Sequence, residues 1–342
     1  MFKELSKPFI IAEMSGNHNQ SLEKALQIVE EAAKTGVDAL KIQTYTPDTL
    51  TIDSERDEFL IKDKDSLWNG ETLYSLYKKA YTPWDWNKVI FDRCTKLGIM
   101  GFSTPFDFSA VDFLERLNVP VYKIASFENY DLPLLKYIAK TGKPVIISTG
   151  MIQLEELKES VSVLKNNGCP ELALLKCTST YPANPQDTNL LTISDMQKQF
   201  PDCIIGISDH TPGTAVSVAS IALGAKVIEK HFTVSRADGG VDSAFSVEPD
   251  EMKKLVSDII IAYQSLGRTF YGPTKAEILS LKLRRSLYVV KDIKKGEPFT
   301  PENIRSIRPA NGLSTKIYED VLKKNAAFDI VSGTPLTENM FL

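Results

Sequence analysis

KPVIISTGMIQLEELKESVSVLKNNGCPELALLKCTST (143–180) holds one full repeat of the pattern that decides the fold. Val145–Ile147 is a short β-branched run with no polar alternation, as expected of a strand buried on both faces. Leu154–Lys165 then places apolar residues at helical spacing, and Gly168 stands where a helix would end in a left-handed residue. Leu172–Leu175 is the next buried run, and it ends in a charged residue, Lys176.

Working outward, the same unit recurs. Apolar runs at Phe9–Ala12, Ala39–Ile42, Gly98–Phe102, Val121–Ile124, Ile204–Ile207 and Lys226–Ile228 bring the total to eight. Helical patterns at Ser21–Lys34, Trp86–Leu97, Leu132–Lys140 and Thr214–Leu223 separate them, and Gly36, Gly98, Gly142 and Gly224 close helices ahead of strands. Eight strands alternating with helices over about 250 residues is the count of a closed (β/α)₈ (TIM) barrel. The alternative is an open doubly wound sheet, but no GxGxxG follows the first run, which counts against a dinucleotide-binding version.

Two regions break the repeat. Thr44 to Trp86 carries all three tryptophans (Trp68, Trp84, Trp86) and a stripe of Tyr74, Tyr77 and Tyr81. The stripe reads either as a core-facing helix face or as a lid or sugar-stacking wall at a barrel mouth. After Gln264 the chain turns to glycine and proline, so we place a barrel at 1–266, a linker at 267–284 and a small, turn-rich unit at 285–342. A unit of that size is marginal alone and should dock onto something. A net charge of −4 provides no basic footprint for nucleic acid. No run reaches membrane-span length and no signal-peptide pattern opens the sequence, so a cytoplasmic protein is expected. Cys94, Cys169, Cys177 and Cys203 form no CxxC pair and read as buried thiols.

The chemistry lies at the strand ends. Glu13, Lys41, Ser103, Lys123, Ser148, Lys176, Ser208 and the triplet Glu229–His231 each follow or close an apolar run. In a (β/α)₈ barrel these ends converge on one mouth, where active sites sit. A ring of buried charges is hard to explain as packing, because each costs several kcal/mol unless paired or used. Two of the three histidines, His210 and His231, end neighbouring strands, which suits a divalent metal with open positions; Asp209, Glu229 and Asp242 lie nearby. A lone histidine would read as a core residue, and His18 could position a loop or a substrate. The lysines, with Ser126, Ser148, Thr149, Gly150, Ser179 and Ser208, suit a phosphate and carboxylate cradle. The competing reading of each lysine is a structural ion pair.

At these residues the sequence resembles a known family. FIIAEMSGNH (9–18), DALKIQTY (38–45), STPF (103–106), YKIAS (122–126), STGM (148–151), KCTSTYP (176–182), GISDHT (206–211) and IEKHF (228–232) look like the sialic acid synthase family. The tail from Arg284 resembles that family's C-terminal antifreeze-like (SAF) domain. TYTPDTLT (44–51) and TPWDW (82–86) are nearest the branch that makes pseudaminic acid. The resemblance implies that His210 and His231 hold Mn²⁺ or Mg²⁺ and that Glu13 is a catalytic carboxylate. It implies that Lys41, Thr104, Lys123, Ser126, Ser148 and Ser208 bind phosphoenolpyruvate, and that Glu128, Tyr181, Glu229 and Asp242 face the sugar. Arg308 matches an arginine offered across a domain-swapped homodimer. Ser179 departs from the asparagine of synthases that use N-acetylmannosamine. The implied reaction joins phosphoenolpyruvate, 2,4-diacetamido-2,4,6-trideoxy-altrose and water into pseudaminic acid and phosphate. Neuraminic and legionaminic acid synthesis remain alternatives, as do a metal-dependent hydrolase or aldolase and a non-catalytic sugar-binding protein.

Overall fold

The computed structural model describes residues 1–64 and 66–342. It divides into Met1–Gly267 and Arg268–Leu342. The first unit holds eight parallel strands closed into a barrel in sequence order. They are β1 (Phe9–Glu13), β2 (Ala39–Thr44), β3 (Met100–Pro105), β4 (Tyr122–Ile124), β5 (Val145–Ser148), β6 (Leu172–Cys177), β7 (Ile204–Asp209) and β8 (Val227–His231). β8 closes on β1 with Glu13 beside His231. The helices of this unit are α1 (Leu22–Thr35), α2 (Pro47–Leu50), α3 (Leu73–Ala80), α4 (Trp84–Lys96), α5 (Phe108–Arg116), α6 (Leu132–Ala139), α7 (Leu154–Asn166), α8 (Thr192–Gln199), α9 (Ala215–Ala222) and α10 (Pro249–Leu266). The eight-strand expectation is met. The strands extend beyond the apolar runs at their C-terminal ends, so the polar residues belong to the strands themselves.

Successive side chains on a strand point to opposite faces, and the two faces of this barrel differ. Ile10, Leu40, Tyr122, Val145, Leu174, Ile205 and Ile228 point outward and pack under the helices. Phe9, Ile11, Ala39, Phe102, Val121, Ile146, Ala173, Leu175 and Val227 point inward and fill the lower barrel, where Phe2 plugs the end. The five glycines expected to end helices all have positive φ, from 70° to 112°, a conformation that is strained for other residues. Ser21 caps α1 by accepting a bond from Lys24 N at 3.2 Å.

The excursion from Thr44 to Trp86 differs from the simpler expectation. α3 ends at Ala80, so Tyr81 lies past it, and Leu76 is the buried residue of that helix. The tyrosines therefore do not form a core face. Tyr74 donates to Asp48 at 3.2 Å, and Tyr77 meets Tyr45 edge-on.

The second unit has its own small core of Leu287, Val289, Ile293, Phe299, Ile304, Val321, Ala326, Ile330 and Leu336. It contains the antiparallel pair β9 (Ser286–Val289) and β10 (Ile304–Ile307), the single-turn α11 (Tyr318–Val321), and turns that carry most of its backbone bonds.

Gly206 on β7 marks the tightest approach in the barrel wall. A Cβ there would lie 2.2 Å from Val227 O and 2.7 Å from Leu175 Cδ2. Gly206→Ala should therefore push β7 from β8 and cost about 1–3 kcal/mol or more. Urea denaturation measures this, and an unchanged midpoint would contradict the close approach.

Candidate functional site

The inward face changes from apolar to polar one step above the core. Glu13 follows Ile11, Lys41 follows Ala39, Thr104 follows Phe102, Lys123 follows Val121, Ser148 follows Ile146, and Glu229 follows Val227. All six are buried. Their charges are interleaved. Lys41 lies 2.9 Å from Glu13 and 3.6 Å from Glu229, and Lys123 lies 3.8 Å from Glu229. Lys123 also donates to Ser148 Oγ at 2.6 Å, Lys41 to Thr104 Oγ1 at 3.3 Å, and Ser208 to Glu229 at 2.9 Å.

The environment moves each group differently. Burial pulls the Lys123 ammonium below its ordinary pKa despite Glu229. Burial also opposes charge on Lys41, but Glu13 and Glu229 overcome it and hold the ammonium protonated. Glu13 is raised by burial in spite of Lys41, with Glu229 adding repulsion. Burial would raise Glu229 as well, but two lysines bring it below the usual carboxylate range. One carboxyl is thus shifted up and the other down.

Above this layer stand the two histidines, with ring centroids 5.2 Å apart. Tyr181 lies 4.5 Å from His210, and Phe245 lies 5.0 Å from His231. His210 Nδ1 bonds the Thr178 carbonyl at 2.9 Å. Burial opposes charge on His210, but the Cys177 sulfur and the Thr178 carbonyl favour a proton on Nδ1. This leaves Nε2 free to ligate. Burial, reinforced by His210, holds His231 neutral, and its buried Nδ1 has no hydrogen-bond partner. Two imidazoles with their rings this close suit one divalent ion, given metal–nitrogen bonds of roughly 2 Å. Among the described residues no group of three or more His, Cys, Asp and Glu forms a metal cluster. Asp242 approaches His231 at 3.8 Å, and burial raises its carboxyl despite bonds from Ser15 and Gly16.

Ser126 and Ser179 crowd Gly150. Ser126 Oγ accepts from Gly150 N at 3.2 Å, and a Cβ on Gly150 would lie 2.1 Å from Ser179 Oγ. Glu128 has one buried oxygen without a partner; burial pushes its carboxyl up to about 7, with Lys123 opposing.

Three of the remaining candidates face away from the barrel interior. Lys176 points outward, with its ammonium on the Cys177 carbonyl at 2.9 Å, because Cys177 takes the inward position. Ser103 points outward to Thr44 at 2.6 Å. Asp209 also faces outward, 2.9 Å from Lys230, and does not join the histidines. His18 bonds Thr82 at 3.2 Å and accepts from Gln20 N, and burial lowers it to about 4, so it is a neutral loop anchor. Arg308 is exposed in the second unit, after β10.

Sequence reasoning missed three residues. Gln43 donates to Glu13 and to Ser15, both at 3.1 Å; counting two residues on from inward-facing Lys41 would have found it. Asn129 donates to the Ser148 and Gly150 carbonyls at 3.2 and 2.8 Å. Asn17 donates to Phe232 O and Ser246 Oγ and accepts from Asp242 N. Neither asparagine lies on a strand, so no periodicity points to it.

A closed parallel barrel with paired lysines and carboxylates beneath two imidazoles belongs to the (β/α)₈ class, whose active sites sit at this mouth. The comparisons narrow the class. The NeuB family pattern matches residues 28–271 and the SAF domain pattern matches 284–342. The chain belongs to the NeuB family. It is 44% identical to a pseudaminic acid synthase of Campylobacter jejuni over 340 residues, covering 99% of this chain and 98% of that one. It is 39% identical to a pseudaminic acid synthase of Helicobacter pylori, covering 97% of each. Among solved structures it is similar to an N-acetylneuraminic acid synthetase from Leptospira borgpetersenii. That match has a TM-score of 0.70 and 32% identity over 81% of this chain and 90% of the other. No helix among the described residues is long and apolar enough to cross a membrane.

The raised Glu128 carboxyl makes a pH prediction. The folded carboxyl binds its proton more tightly than the unfolded one, so the native state holds the extra proton between the ordinary value of 4.5 and about 7. Stability from this group is full below that window and falls as pH rises through it. Glu128→Gln should therefore melt above the parent at pH 8 and with it near pH 4. Equal differences at both pH values would refute the shift.

Proposed function

We propose that this nonulosonic acid synthase condenses phosphoenolpyruvate with 2,4-diacetamido-2,4,6-trideoxy-altrose and water, giving pseudaminic acid and phosphate. The observation that carries the reading is the inward layer of Lys41 and Lys123 lying directly below His210 and His231. Support for the sugar comes from full-length similarity to two pseudaminic acid synthases. N,N'-diacetyllegionaminic acid synthase of C. jejuni is less similar, at 37% identity.

Lys41, Lys123, Thr104, Ser148 and Ser208 hold the phosphate and carboxylate, with Ser126 and the Gly150 N–H on one flank. This holding supplies positioning and electrostatics. A divalent cation, Mn²⁺ or Mg²⁺, held by His210 and His231 would polarise the sugar's aldehyde oxygen as a Lewis acid. Burial makes the Glu13 carboxylate a stronger base, and it accepts the proton of the water that attacks C2. Glu229 keeps the lysines in place. Tyr181, Glu128 and Asp242 line the sugar side, and Trp68, 6.1 Å from Tyr181, extends the aromatic wall outward. Such a wall suits a 6-deoxy sugar bearing two acetyl methyls.

Mass spectrometry of products from phosphoenolpyruvate and each candidate sugar tests the reading. The trideoxy-altrose should be consumed fastest. Faster use of N-acetylmannosamine or of the legionaminic acid precursor would overturn the sugar assignment and leave the family assignment intact.

The second unit belongs to the same proposal. Residues 285–342 of one chain cover the barrel mouth of a second copy, with Arg308 reaching the sugar and water excluded from the bond-forming step. Mixing an Arg308→Ala chain with a Glu13→Ala chain should restore part of the lost activity, because one site of each mixed dimer then has both residues. Verified subunit exchange without recovery would refute the swapped arrangement.

A further inference from the structure

Among the described residues, the buried charges Glu13, Lys41, Lys123 and Glu229 face into the barrel, while Asp209 and Lys230 face out of it. They stand in the layer between barrel and helices, where the neighbouring strand positions are Ile205, Ile207 and Ile228. They are also register partners across β7 and β8. Each immediately precedes a histidine of the site, because the next residue along each strand turns inward: His210 after Asp209, His231 after Lys230.

The bonds around this pair enclose the backbone of His210. Lys230 Nζ reaches Asp209 Oδ2 at 2.9 Å, the Asp209 carbonyl at 3.4 Å and the Thr211 carbonyl at 2.7 Å. One ammonium thus grips the chain on both sides of His210 from the neighbouring strand. Asp209 Oδ1 accepts from Thr211 N at 2.9 Å and Thr211 Oγ1 at 2.7 Å. Its Oδ2 accepts from Ser217 Oγ on α9 at 2.5 Å. Replacing such an ion pair with apolar residues is often neutral or stabilising, so the pair is weak evidence for a stability role. What it does provide is geometry, since β7, β8 and α9 are fastened together at the level where both imidazoles emerge.

From this geometry we infer that Asp209 and Lys230 form an outward-facing clamp that presets the separation and tilt of His210 and His231 for a divalent cation. Both are positioning residues and touch no ligand. The inference rests on the reading that these histidines hold the metal.

The test is isothermal titration of Mn²⁺ alone into the chelator-treated full-length protein, with thermal melting alongside. Either single change, Lys230→Met or Asp209→Asn, leaves one buried charge unpaired and should lower both stability and affinity. The double variant Lys230→Met/Asp209→Asn removes that penalty. It should recover much of the melting temperature while binding Mn²⁺ at least about tenfold more weakly than the parent, the usual scale for loss of an outer support to a metal ligand. If the double variant melts lower but binds Mn²⁺ within about twofold of the parent, the pair is merely structural and the inference falls. Should the double variant not fold, Ser217→Ala decides. It removes one bond to Asp209, and a several-fold loss of affinity supports the clamp, whereas unchanged affinity overturns it. His210→Ala and His231→Ala are run beside these. Parental affinity in both would overturn the metal reading itself and the clamp with it.

Discussion

The upper barrel depends on keeping charge inside a protein wall without leaving any of it alone. Glu13, Lys41, Lys123 and Glu229 are shut off from water, and an isolated ion there would cost several kcal/mol. They are tolerable because each lysine lies against a glutamate, at 2.9 to 3.8 Å. This balance also constrains the proposed chemistry. A phosphate ester with a carboxylate entering a neutral lattice would bring unbalanced negative charge. Two imidazoles able to hold a divalent cation directly above the lysines are the natural counterweight. The proposed anion cradle and the proposed metal site would therefore form one electrostatic unit.

The sequence made the repeat legible because buried parallel strands need short apolar runs, and helices ending before them need a left-handed residue. It made the polar strand ends legible too. What it left open was which face each polar residue takes. A strand's period is two, so one residue of uncertainty in where the strand lies exchanges inside for outside. Composition puts Lys176 in the cradle and Ser103 among the polar strand ends, but both face the helices, with Cys177 and Thr104 in the inward places. Asp209 was drawn toward the metal for the same reason. Gln43 was overlooked although it shares the parity of Lys41.

The excursion between β2 and β3 shows a different limit. Its aromatic content was plain, but its anchoring was not, because the anchors are single polar contacts to distant loops. His18 reaches Thr82, and Gln20 donates to the Lys79 and Tyr81 carbonyls at 3.1 and 2.6 Å. Trp84 donates to the Tyr45 carbonyl and Trp68 to the Val241 carbonyl at 3.4 Å. Gly16 lets Ala80 and Val241 come within 3.2 Å of where its Cβ would be. A segment tied at so many points acts as a wall, and the ring of Trp68 is held against Tyr181 as part of it.

The two faces of the strands thus divide the work. At the upper strand ends, inward residues are chosen for charge and donors, which makes them costly to bury and poor at holding strands together. Outward residues are chosen for packing, and they repay that cost in cohesion between barrel and helices. At β7 and β8 the division is broken on purpose, because an apolar contact holds position only loosely, whereas hydrogen-bonded charges hold it to a few tenths of an ångström. Where two ligands from different strands must meet one small ion, that precision matters more than cohesion. Among the described residues, the outward ion pair of Asp209 and Lys230 stands directly behind them.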